Sequence, residues 1–260
     1  MSPDAAQPIA ALRTPPASPW LAFALLLRWN ANAHRTYLPL YVVVQAAMAV
    51  GIVIGFGFLV PDMSPDTALM LSTGAPTLLL VTVGLVIVPQ AVGQLKTEGS
   101  FDWFRTLPLS RGLFLAADLV TWVGVALPGI ALALGVAALR YDLALELSPW
   151  ALPAAALVGL AAAAVGYGLA SALPPMITML ATQLLVFFIL LFSPIAFPVE
   201  RLPGWLQGFH EVLPILPMAD LMRAVLVTGR YQVEPASIAI LLAWTALGVA
   251  VALRAMARRV

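Results

Sequence analysis

The sequence predicts an all-α integral membrane protein with six transmembrane helices, and three observations lead there. Hydrophobic residues fill 62% of the 260 positions and charged residues 10%, whereas a soluble domain is roughly a quarter charged. At least five stretches supply the about 20 mostly apolar residues that a helix needs to cross a hydrocarbon layer roughly 30 Å thick. Between those stretches no segment reaches the roughly 50 residues of an independently folding domain, so these residues leave no room for a soluble catalytic unit.

Residues 1–18, rich in Pro and Ala with Asp4 and Arg13, lack a continuous apolar core and are expected to form a disordered cytoplasmic tail rather than a signal peptide. Residues 19–37 mix Leu21, Phe23, Leu26, Leu27 and Trp29 with Arg28, Asn30, Asn32, His34 and Arg35. That apolar run is too short to span. It suits an amphipathic N-terminal interfacial helix, with an extension of the first span as the alternative. The transmembrane body, residues 38–260, then divides into spans at about 38–60, 67–93, 112–139, 149–173, 175–197 and 236–256. The first span places Ala47, Gly51 and Gly55 at four-residue spacing, which lets helix backbones approach closely. Gly74, Pro76 and Pro89 interrupt the second. The fourth is rich in Ala and Gly and should pack tightly, and Pro174 and Pro175 turn the chain at once into the fifth.

Two connections stand out. Residues 94–111 form a polar loop in which Ser100 suits a helix cap, Phe101, Phe104 and Leu107 share one helical face, and Pro108 ends it. Asp102 and Arg105 lie one turn apart on another face. The expectation is a short cytoplasmic helix with an apolar knob, against the plainer alternative of an interfacial loop with a solvated charge pair. Between the fifth and sixth spans, residues 198–235 hold two short apolar pieces punctuated by Pro198, Pro203, Pro214 and Pro217. These pieces read as an external re-entrant helical hairpin, whose irregular backbone must be buried in protein or line a water-filled cavity.

Lys and Arg beside the spans are retained on the cytoplasmic side. With both termini inside, Arg13, Arg28, Arg35, Lys96, Arg105, Arg111, Arg254, Arg258 and Arg259 fall inside, and only Arg140, Arg201, Arg223 and Arg230 outside. The expectation is a multi-pass protein of a bacterial inner membrane. The chain has no cysteine and two histidines, His34 and His210, on opposite expected sides, so neither a thiolate nor a two-histidine metal site fits. No GxxxxGK[ST] phosphate loop occurs, and no catalytic, metal or cofactor-binding residues are assigned.

The cytoplasmic loop reads Glu98-Gly99-Ser100-Phe101-Asp102-Trp103-Phe104-Arg105-Thr106-Leu107-Pro108-Leu109-Ser110-Arg111, and the outer segment reads Ser193-Pro194-Ile195-Ala196-Phe197-Pro198, then Leu202-Pro203-Gly204-Trp205-Leu206, then Pro214, Asp220 and Arg223. In both, the chain resembles the ABC type-2 exporter permease family of drug-resistance and polysaccharide-export proteins. It departs from the family where Leu213-Pro214-Ile215-Leu216-Pro217 replaces an Asn-Pro-Leu-Thr-Tyr-like run, and where Gln94-Leu95-Lys96-Thr97 replaces a charged run. The resemblance implies a coupling loop in which Glu98, Gly99, Phe101, Asp102, Phe104, Arg105, Pro108 and Arg111 receive the motion of a separate ABC ATP-binding subunit. It also implies that ATP and magnesium are held by that subunit, and that two membrane halves form a homodimer or a pairing with a homologous permease. The partners are then an ATPase, a second membrane half and the lipid bilayer, with no nucleic acid.

Within the spans, Gln45, Thr73, Thr77, Gln90, Thr178, Thr182, Gln183, Phe187 and Phe188 are candidates for a translocation path, or equally for contacts between helices. Asp118 is an intramembrane acid near the cytoplasmic end of the third span, where an interfacial structural role is expected over a functional one, with Arg111 and Arg105 as candidate partners. In the hairpin, Asp220 and Arg223 are expected to tie the structure together beside Pro198, Pro203, Trp205 and Pro214. The expected function is export of a hydrophobic or amphipathic substrate by alternating access. A polysaccharide or glycolipid permease is the nearest alternative. A membrane-embedded enzyme would need clustered acids or histidines, and an ion-coupled secondary transporter would need several intramembrane acids and an internal repeat.

Overall fold

A computed structural model describes residues 18–59, 64–99, 110–141 and 147–257. Among them the chain is helical, without strands. Helix α1 (Pro19–His34) is followed after a three-residue turn by α2 (Leu38–Leu59). Next come α3 (Pro65–Thr82), a wide turn (Val83–Ile87) and α4 (Val88–Thr97), together one continuous 33-residue span. Helices α5 (Arg111–Tyr141), α6 (Ala151–Ala172) and α7 (Pro175–Phe192) follow. After the short α8 (Gly204–Val212) and α9 (Ile215–Leu226), α10 (Pro235–Ala257) completes the described chain.

Five of these units are long and apolar enough to cross a membrane. A sixth appears when α1 and α2, which meet at 76°, are taken as one bent span. The elbow follows from composition. Asn30 and His34 turn α1 toward α5, while Trp20, Leu21, Leu25 and Trp29 stay exposed, an apolar surface suited to lying in the headgroup boundary.

The wide turn has a local cause. Pro89 has no N–H to give the carbonyl one turn back, and the Val88 amide bonds the Val83 carbonyl five residues away, the signature of a π-type turn. This bend is fixed in place by contact without side chains: a methyl group added at Gly84 would strike Ala162, and one at Gly166 would strike the Gly84 carbonyl. Helix α6 makes a second close approach on its other side, where Gly248 of α10 abuts the Ala164 carbonyl and Gly168 faces Gly248. The Ala- and Gly-rich composition of α6 thus serves as the central packing surface of the bundle.

Connections collect at two ends. At one, Lys96 reaches the carbonyls that end α6. At the other, the Tyr141 hydroxyl donates to the Val53 carbonyl at 2.7 Å, the Ser148 amide to Val225, and Arg230 pairs with Asp66. The fifth span is shorter than its apolar run suggested: α7 ends at Phe192, and the chain leaves the helix at Ser193 and Pro194 instead of near Phe197.

Candidate functional site

Three places in this frame hold the residues singled out in the sequence: the loop after α4, the helical hairpin after α7, and the polar positions inside the spans.

Of the loop, Glu98, Gly99, Ser110 and Arg111 are described. Phe101, Asp102, Phe104, Arg105 and Pro108 lie outside the described residues, as does the Ser100 cap. Helix α4 stops at Gly99, whose φ of 73° is the left-handed conformation that ends helices without steric cost in glycine. Just before it, the Gln94 amide donates to the Glu98 carboxylate at 2.8 Å. One turn back, the Lys96 ammonium donates to the carbonyls of Ala170, Ser171 and Leu173. A cation on those final carbonyls complements the negative end of the α6 dipole. It also fastens the stem of the loop to the junction between α6 and α7. Where the chain returns, the Ser110 hydroxyl accepts the Leu113 amide at 3.3 Å and caps α5, while Arg111 is exposed.

Asp118, about two turns beyond Arg111 on α5, is 6% exposed. Among the described residues Asp118 accepts from the Asn30 amide of α1 at 3.4 Å and from the Trp122 side chain; Arg111, one of the two arginines named as a partner, is exposed, and the other, Arg105, lies outside the described residues. A neutral donor suffices because α1 folds back over the end of α5 and brings Asn30, 88 positions earlier in the chain, to the carboxylate. Beside this pair the His34 ring tilts against Trp122 at 5.0 Å, and Tyr41 meets Trp122 edge-on at 5.8 Å. Together they wall a cavity of about 370 Å³ that Glu98 and Gln94 reach from α4. Nothing in the sequence pattern groups these residues, since they come from α1, α2, α4 and α5.

The hairpin is built around Arg223, 3% exposed. Its guanidinium pairs with Asp220 at 2.9 Å and donates to the carbonyls of Pro194 and Ile195 at 2.9 and 2.7 Å. The Arg–Asp pair therefore joins α9 to the segment leaving α7. Pro198, Pro203 and Pro214 each stand immediately before a helical turn, where a fixed φ near −65° prepares the chain for helix entry. Trp205 is 75% exposed. The hairpin sits deep. Ile195 lies against Gly74, nine residues into α3 after Pro65, and the Trp244 indole, nine residues into α10 after Pro235, donates to the Val212 carbonyl. At 1.5 Å per residue both contacts lie roughly 14 Å below the helix ends.

The polar positions proposed as a path are not gathered into one surface. Gln45 is buried and donates to the Val125 carbonyl at 3.5 Å across to α5. Thr73, Thr77, Thr178 and Thr182 are buried, and each donates to a carbonyl one turn back, as hydroxyls inside helices commonly do. Gln90, Gln183 and Phe187 are exposed, whereas Phe188 packs on the hairpin, stacked on His210 with centroids 5.7 Å apart.

Residues 21–227 match the family model described as ABC-2 type transporter. No curated protein matches the chain.

Proposed function

Given that the chain belongs to the ABC-2 type transporter family and is a membrane-spanning permease component of an ABC transporter, we propose that it forms one half of an exporter driven by a separate ATPase. That ATPase binds ATP and magnesium. The two membrane halves are two copies of this chain or this chain with a homologous permease, and the exposed α2 face bearing Ala47 and Gly51 is a candidate meeting surface. The complex sits in a bacterial inner membrane with both termini cytoplasmic, and moves a hydrophobic or amphipathic molecule outward by alternating access.

The observation that supports the coupling role is the Lys96 clasp. Motion imparted to residues 98–111 would reach α6 and α7 directly, because the stem of that loop is bonded to the carbonyls at their junction. Exposed positions on α7, including Gln183 and Phe187, and the buried Thr178 and Thr182 behind them, are the positions at which a rearranged α7 would meet a substrate.

Replacement of Phe101 and Phe104 by Ala tests this reading in the complex co-purified with its ATPase. Membrane insertion and basal ATP hydrolysis should persist while transport falls at least about tenfold. Full transport by the double variant, or failure of any ATPase to co-purify with the tagged chain, would refute it.

A further inference from the structure

The cavity between α1, α2, α4 and α5 has a chemistry that the packing of the bundle does not require. Its floor is Asp118 with Trp122, its walls are His34 and Tyr41, and Tyr37 and Glu98 stand exposed at its rim. Among the described residues two carboxylates line it, and no Lys or Arg does. Among the described residues both donors to Asp118, the Asn30 amide and the Trp122 side chain, are neutral. Lys96, two residues before Glu98, donates to the carbonyls at the end of α6, and Arg111 is exposed. Buried acids within membrane-spanning helices are rare and commonly serve a function. Here one lies beneath aromatic rings, whose faces attract a cation most strongly when water is excluded.

We infer that this cavity binds an organic cation, an onium group carried on a hydrophobic body, with Asp118 and Glu98 supplying the counter-charge and Tyr41, Trp122 and His34 the aromatic surface. The volume of about 370 Å³ lies at the lower end of the range for small-molecule sites, roughly 300 to 1,000 Å³. The inference rests on the proposed export function and names the substrate class for it. An occupant would touch Glu98, the last turn before the coupling loop, so that binding and the ATPase-facing segment share a residue. An amphipathic solute and a choline-type lipid headgroup both present this chemistry.

Equilibrium binding of radiolabelled tetraphenylphosphonium to the full chain in dodecyl maltoside micelles tests it. Saturable binding is expected, weakened about tenfold or more by Glu98→Gln, by Asp118→Asn and by Tyr41→Leu, because each removes one close charge or ring contact. Tetraphenylborate has the same shape and the opposite charge, and should not compete. Competition by tetraphenylborate equal to that of the unlabelled phosphonium, or unchanged affinity in the exposed-site variant Glu98→Gln, overturns the inference. Displacement by lysophosphatidylcholine assigns the onium group to a lipid headgroup, and its failure to displace assigns it to a free solute. Absence of saturable binding sinks the cation site while leaving the permease assignment intact. Failure of an ATPase to co-purify, with phosphonium binding intact, sinks the exporter reading alone.

Discussion

Helices α6 and α7 follow one another across Leu173 and Pro174 and have similar mean hydropathy, 1.8 and 2.2, yet 61% of the first helix's apolar window is buried against 17% of the second's. The two are held in different ways. Helix α6 is gripped along its length by α3, the π-type turn, α4 and α10, through Gly and Ala contacts between backbones. Helix α7 buries Thr178, Thr182 and Ile189, and is anchored mainly at its ends. Lys96 holds the Leu173 carbonyl at one end. Arg223 holds Pro194 and Ile195 at the other, where a His210 ring nitrogen also lies 2.9 Å from the Phe192 carbonyl. Hydropathy establishes that a helix belongs in lipid, whereas side-chain size decides whether it lies at the centre of the bundle or on its flank.

The hardest blow to the comparison is a side chain in the α6 seam. Gly166→Leu would drive its Cβ into the Gly84 carbonyl and the Pro89 ring, and neither backbone nor ring can swing away. The expected loss exceeds about 3 kcal/mol of stability, read as thermal unfolding in detergent. Gly135→Leu, with nothing within 4 Å of its added carbon, should be neutral or stabilising by up to about 1 kcal/mol through helix propensity. Equal behaviour of the two variants would mean that the close approach does not exist. Arg223→Met comes next. It keeps the stem but strands two carbonyls that now accept from a buried cation, at a cost of about 2 to 3 kcal/mol. The loss should appear as faster proteolysis between α7 and α8. Lys96→Met removes the clasp at the opposite end, where part of the cation is exposed, and should cost about 1 kcal/mol. A Lys96→Arg variant should recover most of that loss, and failure to recover would show that the charge on the α6 carbonyls is not what holds the junction.

Much of this frame was legible because lipid imposes a length rule: apolar runs bounded by Pro61, Pro108, Pro149 and Pro174 could only be spans. The sequence set residues 19–37 apart from the first span as too short an apolar run to cross, but neither the 76° bend between α1 and α2 nor the contacts of Asn30 and His34 with α5 could be read from it. Asp118 stood out as a charge in an apolar helix, but its partner comes from a segment 88 positions away, a pairing that no local pattern encodes. Pro89 marked an interruption without revealing that the helix absorbs it as a π-type turn. The end of α7 was misplaced because Ile195, Ala196 and Phe197 prolong its apolar run. The chain instead breaks at Ser193 and Pro194, where Arg223, from a helix about thirty positions later, takes the carbonyls that continued helix would have used internally. The cavity was invisible for the same reason as the Asp118 partner, since four helices contribute to it.

The smallest expected effect is also the sharpest test of what covers α7. Leu184 is 71% exposed and Ile189, five residues on, is 3% exposed. Ile189→Ala should cost about 2 kcal/mol or more, because a cavity opens against the bundle. Leu184→Ala should change the unfolding of dilute, monomeric chain by less than about 0.5 kcal/mol, because detergent or lipid fills the space that the side chain leaves. Repeating the measurement as protein concentration rises separates two surroundings for that face. A penalty for Leu184→Ala that grows with concentration places α7 against a second membrane half. A penalty that stays near zero at every concentration leaves that face to lipid, and assigns the pairing of halves to another surface such as α2.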